Sequence, residues 1–158
     1  MIGIINKEEI KMGYDGGFTK VRMKMENQEQ VGKYFRQIRI KMYRIIGYDN
    51  FYKFETSAVE LPLLDNDWTE ALILSKVCKL KNYEVDKCAF TYISKTTLKQ
   101  YINELKLIKL SEHYDLNKMS YEEINRLHDN IFDDIRKLEE LYNEFDWDND
   151  TLLFDYTY

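Results

Sequence analysis

A regular stripe of apolar residues near the C-terminal end constrains the fold more than any other feature. Its members recur every three or four positions over about seven helical turns: Ile124, Leu127, Ile131, Ile135, Leu138, Leu141 and Phe145. This spacing predicts a long amphipathic helix, and Ser120 with Glu123 forms a capping box at its start. The repeat lies between that of a coiled coil and that of a helix on a globular core, so a dimer seam and intramolecular packing both remain open.

The scarcity of chain-breaking residues also favours long elements. One proline and six glycines occur in 158 residues, while apolar residues make up 44% of the chain, enough for a substantial core. Cys78 and Cys88 are too few for a disulfide framework and are expected to pack as small apolar side chains. No segment approaches the ~18 apolar residues needed to cross a bilayer, and the start does not resemble a signal peptide. We therefore expect a cytoplasmic protein with no membrane partner.

A strand and a basic helix are predicted in the N-terminal part. Val21, Met23 and Met25 alternate with basic residues, which indicates a half-buried strand, and Ile2, Ile4 and Ile5 are candidates for its partner. Asn27 and Gly47 mark the start and end of an amphipathic helix. The cations of this helix form a candidate accessory basic surface: Lys33, Arg36, Arg39, Lys41 and Arg44.

The middle of the chain contains the most specific pattern. It predicts a helix over residues 68–81, a short second helix over 85–92, and a third helix over 95–106 that Ser94 caps. The third helix carries a buried stripe, and Leu107, Ile108 and Leu110 follow it as a possible strand. The residues that carry the pattern are Ala71, Leu72, Val77, Leu80, Ala89, Ile93, Ser94, Thr97, Leu98, Tyr101, Ile102 and Leu105.

This middle segment resembles the winged helix-turn-helix domain of phage and plasmid replication initiators and replisome organisers. The resemblance covers about 45 residues and implies duplex DNA binding in replication initiation or transcriptional control, in a protein encoded by a phage or other mobile element and acting in the cytoplasm of a bacterial host. In such a domain the third helix enters the major groove. The residues expected to contact DNA are Ser94, Lys95, Thr96, Thr97, Lys99, Gln100 and Asn103.

The uneven distribution of charge supports a second hypothesis. Residues 110–158 carry four Lys or Arg against fourteen Asp or Glu, although the net charge of the whole chain is only −5. The alternative function is therefore a phage-encoded inhibitor, of anti-CRISPR or anti-restriction type, that imitates phosphate charge toward a host protein or nucleoprotein complex. The candidate partner surface comprises Asp129, Asp133, Glu140, Glu144, Asp146, Asp148 and Asp150. On the DNA-binding hypothesis we expect this stripe to lie against the basic helix, and residues 146–158 to be dispensable for folding.

No feature of the sequence indicates catalytic chemistry. His113 and His128 lack the spacing of a zinc site, and residues 146–157 lack the glycine and glutamate of a calcium loop. We therefore expect a binding protein without catalytic residues, metal or cofactor, and a homodimer remains open. The expected fold class is α+β and predominantly helical. Three segments are predicted, and we expect them to form one compact unit: a strand-helix element (1–60), a winged-helix-like domain (61–118), and an acidic helix with an aromatic tail (119–158).

Overall fold

The computed structural model describes residues 15–45, 64–65, 68–79 and 90–157. The fold is α+β and predominantly helical, as predicted. Two short 3₁₀ turns, Leu110–Glu112 and Leu116–Lys118, lie between the last two helices. In chain order the helices and strands are β1 (Asp15–Val21), α1 (Gln28–Ile45), β2 (Leu64–Asp65), α2 (Trp68–Val77), β3 (Thr91–Ile93), α3 (Lys95–Lys106), α4 (Tyr121–Glu144) and β4 (Thr151–Thr157).

The four strands form one antiparallel sheet in the order β2-β1-β4-β3. The last strand, β4, therefore lies between β1 and β3, with Phe154 opposite both Phe18 and Thr91. Strands from all three predicted segments meet in this sheet.

Helices cover both faces of the sheet. On one face, Phe18, Ile93, Leu152 and Phe154 pack against α2, α3 and the C-terminal half of α4. On the other face, Val31 and Phe35 of α1 pack with Val21 of β1 and Leu153 of β4, and Met25 and Phe90 complete this second core. Because β4 is central, it is buried on both sides, and neighbouring residues Leu152, Leu153 and Phe154 enter different cores.

Three predicted helix caps are confirmed. Asn27 Oδ1 accepts a hydrogen bond from Gln30 N at 3.0 Å, and Ser94 Oγ accepts one from Thr97 N at 3.0 Å. Ser120 caps α4 in the same way, accepting from Glu123 N at 3.1 Å. Each cap satisfies one backbone N–H that the first turn of a helix leaves without an intrahelical partner. Gly47, the expected end of α1, lies outside the described residues, as do Ile2, Ile4 and Ile5.

The N-terminal strand and the first predicted helix of the middle segment are shorter than expected. β1 ends at Val21, and Met23 is 41% exposed beyond it, so the period-two pattern does not continue as strand to Met25. α2 ends at Val77 rather than Lys81, because Lys79 adopts a left-handed backbone conformation (φ 56°). Such a residue commonly terminates a helix.

The second helix of the predicted helix-turn-helix is wrong over its last residues. Thr91 and Tyr92 belong to β3, which pairs with β4, and residues 81–89 lie outside the described part of the chain. Thr, Tyr and Ile suit a strand that packs on both faces, and pairing with β4 satisfies their backbone groups. The predicted wing strand is also wrong, because Leu107 is the C-cap of α3 and Leu110 begins a 3₁₀ turn.

The C-terminal segment is a central strand rather than a dispensable tail. Thr151–Thr157 pair with β1 along the whole length of that strand. The structure therefore contradicts the expectation that this segment lies outside the core, and we expect its removal to disrupt folding. The apolar stripe of α4 packs within the chain: Leu138 is fully buried in the core, and Ile135, Leu141 and Phe145 pack against it.

Candidate functional site

The exposed face of α3 gathers most of the predicted DNA contacts. Lys95, Thr96, Lys99, Gln100 and Asn103 are all exposed, while the predicted stripe of Leu98, Tyr101, Ile102 and Leu105 is buried. This placement follows from the helical period, since the two sets lie on opposite sides of one amphipathic helix. The predicted division of α3 into a core side and a solvent side is confirmed.

Two of the predicted contacts serve the fold instead. Ser94 Oγ is 2.9 Å from Thr97 Oγ1 and accepts from Thr97 N, and both residues are partly buried. Their hydroxyl groups therefore form the cap of α3, which is the role that also made Ser94 recognisable in the sequence.

The lysines of α3 turn toward α4. Lys95 Nζ and Lys99 Nζ each lie 5.3 Å from the centre of the Tyr142 ring, a distance typical of cation–π contact. Lys106 forms an ion pair with Glu139. The Lys106 hydrogen bond, followed by the positive charges of Lys106 and Lys99, lowers the pKa of the Glu139 carboxyl. Two cations predicted to contact DNA, Lys95 and Lys99, and Lys106 at the end of α3 are thus already in contact with the acidic helix.

The outer face of α4 carries the predicted acidic stripe. Asp129, Asp133, Glu140 and Glu144 are exposed and lie opposite the buried seam. Arg136 partly neutralises the middle of the stripe, with guanidinium nitrogens 3.4 Å from Asp133 Oδ1 and 3.3 Å from Glu140 Oε1. Negative charge therefore remains strongest toward Asp129 at one end and Glu144 at the other.

The turn after α4 extends the acidic face, and hydrogen bonds to Asp146 hold this turn in one conformation. Asp146 accepts hydrogen bonds from Asn149 Nδ2 at 2.9 Å and from the backbone of Asp148 and Asn149 at 3.3 Å. The Asn149 side-chain bond and these backbone bonds, together with the charge of Lys20, lower the pKa of Asp146. Asp146 thus holds the turn, whereas Asp148 is exposed and Asp150 partly exposed.

Contacts with the basic strand region lock this turn to the rest of the molecule. Trp147 Nε1 donates to Tyr142 O at 3.0 Å, and the Trp147 ring centre is 4.6 Å from that of Phe145. Lys24 Nζ donates to Trp147 O at 2.6 Å. Basic residues do meet the acidic end, but they come from the β1 region rather than from α1.

The predicted accessory basic surface lies on the other side of the sheet. α1 packs on the face opposite to α3 and α4, so its described basic side chains, Lys33 and Arg36, neither extend the α3 face nor neutralise the α4 stripe. Lys33 and Arg36 are exposed, and Lys33 Nζ is 3.7 Å from Glu29 Oε1. Arg39, Lys41 and Arg44 lie on α1 beyond the residues whose side chains are described.

A groove that the sequence did not reveal lies between α2 and the end of α3. It has a volume of about 350 Å³, and the residues predicted to open a wing form part of its wall. Because the groove joins segments about 30 residues apart, no local pattern marks it. Its lining comprises Leu72, Ile73, Lys76, Val77, Glu104, Leu107, Ile108, Glu112 and His113.

Within the described ranges, no group of three His, Cys, Asp or Glu side chains lies close enough together to hold a metal ion, and no helix is long and apolar enough to span a membrane. Burial raises the pKa of the Cys78 thiol to about 12, which agrees with the expected packing of this side chain among apolar residues.

No family model matches the chain, and neither a curated protein nor a solved structure matches it significantly.

Proposed function

We propose that the chain is a binding protein that uses the acidic outer face of α4 and the following turn to dock on a cationic protein surface. The observation that supports this most is the exposure of Asp129, Glu140, Glu144 and Asp148 on one helix face and its adjoining turn. Asp129 and Glu144 are 15 residues apart, roughly 22 Å along the helix axis. That length matches about six base steps of a nucleic acid strand.

The packing of α4 supports this proposal because it presents the charges in a fixed arrangement. Ile131 and Leu138 anchor the helix to the core, and the Asp146 bonds hold the turn. A charged surface that is already ordered loses less conformational entropy on binding than a flexible tail. The partner that fits is a host protein with a cationic nucleic-acid site, and an inhibitor of CRISPR or restriction type is the corresponding biological role.

Displacement of DNA from such an effector tests the proposal. Labelled duplex DNA is bound to a purified CRISPR effector or restriction enzyme, and the chain is titrated in. We expect displacement by the wild type and its loss in the quadruple variant Asp129→Asn, Glu140→Gln, Glu144→Gln, Asp148→Asn.

A matched control removes the same charge elsewhere. Glu26, Glu104, Glu112 and Asp115 are exposed and lie off α4, so their conversion to amides changes the net charge equally. Displacement should survive in this control. Equal loss in both variants, or no displacement by the wild type from either class of effector, contradicts the proposal.

A second candidate is duplex DNA binding through α3, in replication initiation or transcriptional control. The exposure of Lys95, Thr96, Lys99 and Gln100 on one face favours it, since these side chains suit phosphates and base edges. We rank it second because its lysines already contact Tyr142 and Glu139 of the acidic helix.

Salt-dependent DNA binding separates the two candidates. If α3 binds duplex DNA, Lys95→Ala with Lys99→Ala should reduce the salt slope by about two. The quadruple amide variant of α4 should then bind DNA more tightly, because it removes repulsion. No duplex binding by the wild type at ~50 mM salt would contradict the second candidate.

A further inference from the structure

One flank of α4 exposes two large aromatic side chains that the acidic stripe does not use. Tyr121 is 82% exposed and Phe132 is 70% exposed. Residues 121–130 contain no fully buried side chain, so the first part of α4 rests on the core less firmly than the second part.

These aromatics share a line along the helix. Tyr121, Asn125, His128, Phe132 and Arg136 recur at spacings of four, three, four and four, and all five are exposed. This flank lies between the buried seam and the acidic stripe. Exposed aromatics of this size in a row are typical of surfaces that meet a protein partner.

We propose that this flank binds a second copy of the chain in antiparallel orientation. A twofold axis between His128 and Asp129 sets Tyr121 opposite the partner's Arg136, so that the guanidinium can cover the ring. The same register sets Asn125 opposite the partner's Phe132 and brings Glu122 beside the partner's Arg136. The inference does not depend on the proposed function, although the two surfaces border each other at Arg136, which also pairs with Asp133 and Glu140 of its own helix.

The order of charges along the helix selects this occupant and this orientation. Glu122 lies at the start of α4, and Arg136 lies about four turns later on the same side of the helix. Antiparallel pairing brings opposite charges together at both ends, whereas parallel pairing would set Glu122 against Glu122. The contact is confined to about four turns of one helix, which places it among weak, concentration-dependent interfaces.

Charge reversal at the two ends tests the register. Within one chain Glu122 and Arg136 are roughly 21 Å apart along the helix, too far to interact directly. Glu122→Arg alone and Arg136→Glu alone should each weaken self-association roughly tenfold or more, measured by sedimentation equilibrium. The double variant should restore it, and an equimolar mixture of the two single variants should form a heterodimer.

The aromatic contribution has a matched control. Phe132→Ser should abolish association, whereas Leu107→Ser, at a residue that is 75% exposed on another element, should leave it unchanged. Circular dichroism confirms that each variant remains folded. A monomeric wild type at ~0.5 mM, single reversals that associate normally, or a double variant that stays monomeric would each overturn the proposal.

Discussion

Phe18 of β1 and Phe154 of β4 lie directly opposite each other in the sheet, with ring centres 5.1 Å apart and both side chains buried. The Phe18 ring centre is also 6.0 Å from that of Tyr101 on α3. The Phe18–Phe154 contact joins a residue near the start of the described chain to one near its end. Since β4 also pairs with β3, loss of the last strand would leave β3 without a neighbour and β1 paired only with the two-residue strand β2.

Phe154→Ala should therefore lower the free energy of unfolding by about 3–5 kcal/mol, because it leaves a cavity between the sheet and α3. Urea denaturation followed by far-UV circular dichroism measures the change. Leu107→Ala, at an exposed position, should stay within about 0.5 kcal/mol of the wild type. A chain that ends at Asp150 should show no cooperative transition. A folded truncated chain would contradict the central role of β4.

The cap of α3 provides a second prediction. Ser94→Ala removes the acceptor for Thr97 N and should lower the free energy of unfolding by about 0.5–2 kcal/mol. Ser94→Asp keeps an acceptor at the same position and should retain most of the stability. If both variants lose equal stability in urea denaturation, the hydroxyl does not act as a cap.

The Lys106–Glu139 ion pair predicts how the stability of the fold decreases at acidic pH. Because the pKa of Glu139 is lowered in the folded chain, its ionised form stabilises the fold above its ordinary pKa, and this contribution is lost as the pH falls through the folded value. Between about pH 5 and 3, Glu139→Gln should thus lose less stability than the wild type. Urea midpoints at a series of pH values measure the difference. Parallel curves for the two proteins would contradict the shift.

The partly buried Cys78 thiol provides a chemical prediction. A pKa of about 12 leaves almost no Cys78 thiolate at neutral pH, and the thiolate is the reactive form. In a Cys88→Ser background, Cys78 should react with an aromatic disulfide reagent only after unfolding in denaturant. Rapid reaction of the native protein would show that the side chain is accessible and ionised.

Local signals in the sequence located the helices well. Ser94 and Ser120 cap helices as predicted, and the stripe at Leu98, Tyr101, Ile102 and Leu105 is buried. Capping and helical periodicity depend on residues within about four positions of each other, so a sequence contains the information directly. The acidic stripe of α4 was predictable for the same reason.

Long-range pairing was not predictable in this way. Tyr92 was predicted to be helical because its place in a strand depends on Leu153, which lies opposite it in β4 about 60 residues later. The contacts of Lys95 and Lys99 with Tyr142 likewise depend on how α3 and α4 pack. The sequence therefore predicted correctly which α3 side chains are exposed, but it did not predict that Lys95 and Lys99 contact the acidic helix.

The central position of β4 has a consequence for biosynthesis. While a ribosome makes this chain, β1 and β3 emerge long before the strand that must lie between them. Until residue 157 has left the exit tunnel, β1 and β3 carry unpaired backbone groups and uncovered apolar faces. Such a state favours aggregation. We expect native folding to begin only after the last strand is released, and the nascent chain to need chaperone protection until then.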